Sequence, residues 1–193
     1  MNALARAGLI VLDLDGTLMR LDIDWPPLRA ELRGIATRHD LELESERALD
    51  MLREVRETGA QEALDEMERA ARSTELDAVE RAPANATLIE LLEGLDPSPP
   101  LAVLSLQSTA AVRRAVELLG WSDRVAHALG RDDVTKAKPD PDGLEALAAL
   151  HAVDPSQVVL VGDSDTDHDA ARAAGAASVD VTALGVDWRP LRA

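Results

Sequence analysis

The chain has 193 residues, no cysteine, and 36 acidic residues against 20 basic, for a net charge of −16. That length fits one domain, or one domain carrying an insertion, and the missing thiols exclude a disulfide framework, a thiolate metal site and a cysteine nucleophile. The acidic surplus makes a polyanion such as nucleic acid an unfavourable partner, and no apolar stretch approaches the ~20 residues of a membrane-spanning helix.

The first predicted element is a buried strand at 9–14, where an unbroken aliphatic run ends in "DLDG". Asp13 and Asp15 follow it one residue apart, and side chains at that spacing in an extended chain point the same way. Carboxylates held that close repel unless a cation or hydrogen bonds compensate, although Asp and Gly also favour a plain turn. Because Asp13 breaks the N-terminal apolar run, no secretory signal is expected and the cytoplasm is the expected compartment. "NAT" at 85–87 is therefore read as a chance match to a glycosylation sequon.

From about 20 to 84 the strand signal disappears. The composition, dense in Glu, Arg, Leu and Ala, predicts three helices near 26–39, 44–58 and 61–81, opened by Pro26–Pro27 and closed by Pro83. A helix at 85–95 returns the chain to an alternating pattern. Strands are expected at 101–106, 124–129, 158–162 and 177–181, and helices at 109–119, 141–151 and 166–174. Such alternation predicts an α/β fold with a doubly wound parallel sheet. The expected core domain is 1–19 with 83–193, and 20–82 is an inserted, small α-helical domain.

Ligands of a parallel α/β sheet bind beyond the carboxyl ends of its strands. There the sequence places Asp13 and Asp15, then Ser105 and Gln107, then Asp163, Asp165 and Asp167. Lys136 and Lys138, the only lysines beside 18 arginines, precede the helix at 141–151. Acids, a hydroxyl and both lysines thus converge on one sheet edge. "DSDTDHDAARAAG" is not an EF-hand loop, because His168 stands where Gly is needed and Ala174 where Glu is needed. The acid surplus with little lysine fits adaptation to high salt and fits a GC-rich genome equally. None of His39, His127, His151 and His168 is assigned to chemistry, though His168 sits near the site. Trp25 is read as core in preference to a substrate contact.

"DLDGTL", "VLSLQS", "KAKPDP" and "VGDSDTDHDAARAAG", in that order, resemble the four motifs of the haloacid dehalogenase superfamily. The resemblance covers nearly the whole chain, and the helical insertion is similar to the family's small cap. Asp15 is the second aspartate that phosphatases and phosphomutases keep, and Thr17 points to a phosphatase. Leu106 and Gln107 stand where the family usually carries Asn or Lys.

The resemblance implies a Mg²⁺-dependent phosphatase acting on a small phosphorylated metabolite, as a monomer or homodimer. Phosphoglycolate is the substrate the resemblance suggests, with sugar phosphates and nucleotides left open. Asp13 would be the nucleophile that forms an aspartyl-phosphate, and Asp15 the general acid and base. Asp13, the main-chain carbonyl of Asp15 and Asp163 would bind the metal, and Asp167 a water in its shell or the loop. Ser105 and Lys138 would bind and balance the phosphoryl group, with Gly16, Thr17 and Gln107 lining its site.

Two alternatives stand beside this reading. One is a catalytically inactive, metal-binding relative. The other is a receiver-type signalling domain. There, however, the phosphorylated aspartate follows the acid pair by a strand–helix–strand stretch and the lysine comes last. Here an acidic cluster follows Lys138, and a helical module interrupts the first crossover.

Overall fold

In the computed structural model, which describes residues 3–96 and 98–191, Leu9–Leu12 form strand β1 with all four side chains buried. Three helices follow, α1 (Trp25–Arg38), α2 (Ala48–Thr58) and α3 (Gln61–Arg81). A short strand β2 (Ala84–Asn85) leads into α4 (Ala86–Glu93). Next come β3 (Leu101–Leu104), α5 (Thr109–Leu118), β4 (Val125–Leu129) and α6 (Asp142–Leu150). The chain closes with β5 (Val158–Gly162), α7 (Asp165–Ala174), β6 (Ala177–Asp180) and β7 (Trp188–Arg189).

Five strands pair in parallel in the order β4-β3-β1-β5-β6. Period-two alternation sorts each central strand between two cores. Ile10 and Leu12 of β1 pack with Val103, Val161 and the apolar faces of α4 and α5. Leu9 and Val11 pack on the opposite side with Ala102, Leu104, Leu160 and the faces of α6 and α7. Burial on both faces is why these strands read as continuous apolar runs. The strand order also reverses at β1, whose neighbours β3 and β5 lead to opposite halves of the sheet. The carboxyl end of β1 is therefore the switch point at which doubly wound sheets bind ligands.

The three helices between β1 and β2 bury a core of their own, in which Leu28, Leu32 and Ile35 of α1 meet Met51 and Val55 of α2 and Met67 of α3. The 21-residue α3 reaches beyond it, and its last turns bury Ala78 and Val79 in the sheet's core. No helix among the described residues is long and apolar enough to cross a membrane.

The departures from the sequence reading have local causes. The helix expected from 44 starts at Ala48, because the Glu54 carboxylate takes the backbone N–H groups of Glu44 and Ser45 at 2.8 and 3.1 Å. The strand expected over 9–14 ends at Leu12, since Leu14 begins a turn whose carbonyl accepts from Leu18 and Met19. An antiparallel pairing of β2 with β7 was not expected. Two residues per strand are too few to carry an alternating pattern. Asn85 of the sequon is fully buried, with Oδ1 accepting from Leu88 N and Nδ2 donating to the Thr17 carbonyl, so it offers no surface amide for a glycan.

Candidate active site

Asp13 follows β1 directly, and its N–H still donates to Val161 of the neighbouring strand at 2.9 Å. Lys138 lies in the loop before α6, buried, with Nζ donating to Asp13 Oδ1 at 2.7 Å, Asp167 Oδ1 at 2.5 Å and the Leu104 carbonyl at 3.1 Å. One ammonium thus ties together the ends of β1 and β3 and the first turn of α7. Asp167 is wholly buried, and its second oxygen accepts from Ser164 N at 3.2 Å and Ser164 Oγ at 2.5 Å in a capping box. With both oxygens engaged, Asp167 holds the loop and Lys138 in place.

Asp163 sits more openly at the end of β5. Ligand atoms of Asp13, Asp163 and Asp167 lie within 4.8 Å of one another. Three carboxylates around one ammonium leave the cluster short of positive charge. A divalent cation would offset that deficit, and a carboxylate oxygen set suits Mg²⁺. Burial is the largest influence on Asp13 and pushes its carboxyl up to about 7; Lys138 opposes this, and Asp167 and Asp163 add to it. Asp163 is raised as well, by burial first and then by Asp167.

Asp15 lies beside this cluster, with Asp163 among the charges that act on it. The chain turns at Leu14 between Asp13 and Asp15, and Asp15 Oδ1 accepts from Leu21 N at 2.8 Å. Burial pushes its carboxyl up to about 6 against that hydrogen bond. Gly16 adopts φ +84°, and a Cβ there would lie 2.3 Å from Asp163 Oδ2, so no other residue lets the two loops meet this closely. Thr17 is buried, with Oγ1 3.4 Å from Asp163 Oδ1.

Ser105 extends β3, donating its N–H to Leu129 at 3.0 Å, while its hydroxyl donates to the Gln107 side-chain oxygen. Gln107 is buried and occupied with Ser105. The two lysines diverge. Lys136 is exposed, with Nζ 3.7 Å from Asp140, and does not join Lys138 at Asp13. The histidines lie outside the cluster: His168 bonds Ser178, His39 bonds Glu66, and His127 pairs with His151. Trp25 is half-buried, packs against both the sheet's core and the helical core, and also lines a cavity beside Lys138.

A second charged group went unnoticed in the sequence. Arg131, from the loop after β4, is buried between Glu68 and Glu75 of α3. Arg131 Nη1 also donates to the Leu106 carbonyl at 3.2 Å, and Glu75 Oε2 accepts from Ser108 N at 2.9 Å. Arg56 of α2 adds bonds to Glu68 at 2.9 Å and to the Arg131 carbonyl at 3.0 Å. The Ser105–Ser108 loop is thereby fastened to α3. Burial raises the Glu75 carboxyl, and Arg131 pulls it back.

The available signal was positional. Glu68 and Glu75 fall on the same helical stripe as Leu64, Ala71 and Ala78, where a solvated acid has no place. Breaking a buried pair leaves an uncompensated charge, which costs ~3–5 kcal/mol. Glu75→Ala is expected to lose about 3 kcal/mol in urea denaturation, because Glu68 still faces Arg131. A loss under ~1 kcal/mol would mean that the pair behaves like a solvated one.

The model of a family described as haloacid dehalogenase-like hydrolase matches residues 8–175. Phosphoglycolate phosphatase of Escherichia coli K12 is 37% identical over 83 residues, 43% of this chain and 33% of that protein. The enzyme of the same name from Neisseria meningitidis is also 37% identical over 83 residues, 43% of this chain and 35% of its own length. The matched stretch thus spans about a third of these curated relatives. Among solved structures, a predicted phosphoglycolate phosphatase from Haemophilus somnus 129PT superposes with a TM-score of 0.63 at 21% identity, covering 95% of this chain and 93% of that one. A HAD-superfamily hydrolase from Ehrlichia chaffeensis gives 0.59 at 21% identity, covering 90% and 86%. At these identities the likeness is one of fold.

Proposed function

This chain belongs to the haloacid dehalogenase-like hydrolase family, and from that membership we propose that it is a Mg²⁺-dependent phosphatase for a small phosphorylated metabolite of the cytoplasm. The observation that carries the reading is Lys138 Nζ bridging Asp13 and Asp167 beside Asp163. A phosphate monoester dianion repels nucleophiles, so a site that attacks it needs positive charge beside its nucleophile. The phosphoglycolate phosphatase relatives support the same class of substrate.

In this proposal an Asp13 oxygen attacks phosphorus, and the bond to the leaving oxygen breaks as an aspartyl-phosphate forms. Asp15, with its carboxyl raised to about 6, gives its proton to that leaving oxygen. As a carboxylate it then takes a proton from the water that attacks the phosphorus, which releases phosphate and restores Asp13. Lys138 holds Asp13 in position and balances charge on the phosphoryl oxygens, and Ser105 supplies a hydroxyl donor from the next strand. Asp13, Asp163, the Asp15 carbonyl and the Asp167-held loop would hold Mg²⁺, which supplies charge neutralisation and polarises the phosphoryl group. Residues 20–82 act as a cap over a core of 1–19 and 83–193, and shield the intermediate from stray water.

The test is release of phenolate from an aryl phosphate by purified protein with Mg²⁺ and then with excess chelator. Activity is expected to collapse with chelator and to return with added Mg²⁺. Full activity in chelator would contradict the proposal.

A further inference from the structure

A cavity of about 820 Å³ opens between the helical module and the loops of the candidate site. Lys138, Leu106 and Thr166 form its end at the sheet, and residues of α1 and α2 form the facing wall. Lys138 Nζ lies 2.7 Å from Asp13 Oδ1, so this end adjoins the phosphoryl position.

The wall inverts the charge of the molecule. Five arginines and both lysines line it, against Asp50, Glu57 and Asp140, in a chain whose acids outnumber its bases 36 to 20. Several of these cations already have partners: Lys138 in the carboxylate cluster, and Arg131 and Arg56 at the glutamates of α3. Arg53 meets Asp50 at 3.0 Å in an exposed pair within its own helix. Arg29 and Arg47 differ, because neither side chain has an ion-pair or hydrogen-bond partner among the described residues. Between them and Lys138 the lining is apolar, with Trp25, Leu49, Leu52, Leu106 and Pro139.

Resting on the phosphatase reading above, we infer that the substrate is a phosphomonoester larger than phosphoglycolate, whose carbon body bears a second anionic group. The phosphoryl group sits at Asp13 and Lys138, the body lies across the apolar lining against Trp25, and the second anion meets Arg29 and Arg47. Arg29 is half-buried and Arg47 exposed at this wall, so a second anion there meets two guanidinium groups that no carboxylate among the described residues neutralises. The volume also falls within the ~300–1,000 Å³ of pockets that enclose drug-sized ligands, so a two-carbon phosphate fills only a small part of it. A carboxylate and a second phosphate satisfy the same arginines, and matched substrates separate them.

The experiment compares kcat/KM of the Mg²⁺-loaded protein within two matched pairs. One pair is phenyl phosphate and para-carboxyphenyl phosphate, and the other is a hexose monophosphate and the corresponding hexose bisphosphate. Phosphoglycolate is run beside them. The preference for the doubly anionic member of at least one pair is expected to fall about tenfold or more in the Arg29→Gln/Arg47→Gln double variant, chiefly through KM. The pair that responds identifies the second anion. Taking variant against wild type cancels the difference in leaving group within a pair. Phosphoglycolate is expected to fall below the preferred larger substrate.

Equal preferences in wild type and double variant for both pairs would overturn the inference, as would phosphoglycolate outperforming every larger compound. Either result leaves the phosphatase reading intact. Mg²⁺-dependent release of phosphate from none of the compounds would overturn both.

Discussion

Asp13→Asn is expected to lose on the order of 10⁴-fold in kcat toward any phosphomonoester, because in the proposed mechanism it removes the attacking oxygen itself. The fold is expected to survive. The substituted amide has the same shape, retains an oxygen for Lys138 Nζ, and removes one negative charge from a cluster in which three carboxylates surround one ammonium. Relief of that repulsion keeps the melting temperature at or above the wild-type value. Steady-state kinetics beside a thermal melt check both halves. Activity within about tenfold of wild type would exclude Asp13 as the nucleophile.

Lys138→Ala is expected to lose ~10²-fold or more in kcat, the scale for removing one preorganised donor at the transition state. It also leaves the buried carboxylates of Asp13 and Asp167 without the ammonium that joins them, so the melting temperature falls as well. Lys136→Ala is expected to lose far less, since its exposed Nζ has only Asp140, at 3.7 Å, as a partner among the described residues. Lys138→Arg recovers little. A planar fork does not fit where one nitrogen meets two carboxylates and the Leu104 carbonyl. Measuring kcat at saturating Mg²⁺ for the three variants decides the matter. A crippled Lys136→Ala beside an active Lys138→Ala would contradict the geometry.

Most of the sheet was legible because its strands are buried on both faces. A run such as Leu9–Leu12 has no polar member to blur its limits, and the change from "LDLDG" to helical spacing marks the insertion. Asp13, Ser105 and Asp163 directly follow the apolar runs of β1, β3 and β5, so their places were legible from the limits of those runs. What stayed hidden depends on contacts distant in sequence. Arg131 and Glu75 are 56 residues apart, and nothing near either one points to the other. The bond from Leu21 N that holds Asp15 Oδ1 is likewise something the strand pattern does not encode. The cationic cavity wall was hidden similarly, because its arginines come from two helices and from loops of the sheet. Counted over the chain, they disappear into a net charge of −16.

The central claim is that Asp13 carries the phosphoryl group between two chemical steps, and the Asp15→Asn variant exposes it most directly. With an aryl phosphate the leaving group departs without much help from an acid, so the first step proceeds. The second step still needs a base for water and slows. Rapid acid quench of this variant with Mg²⁺, followed by mass-spectrometric peptide mapping, is expected to find a hydroxylamine-sensitive phosphoryl group on the peptide containing Asp13, formed along with a burst of phenolate. A phenolate burst with unmodified Asp13, or with the phosphoryl group on another residue, would contradict the account.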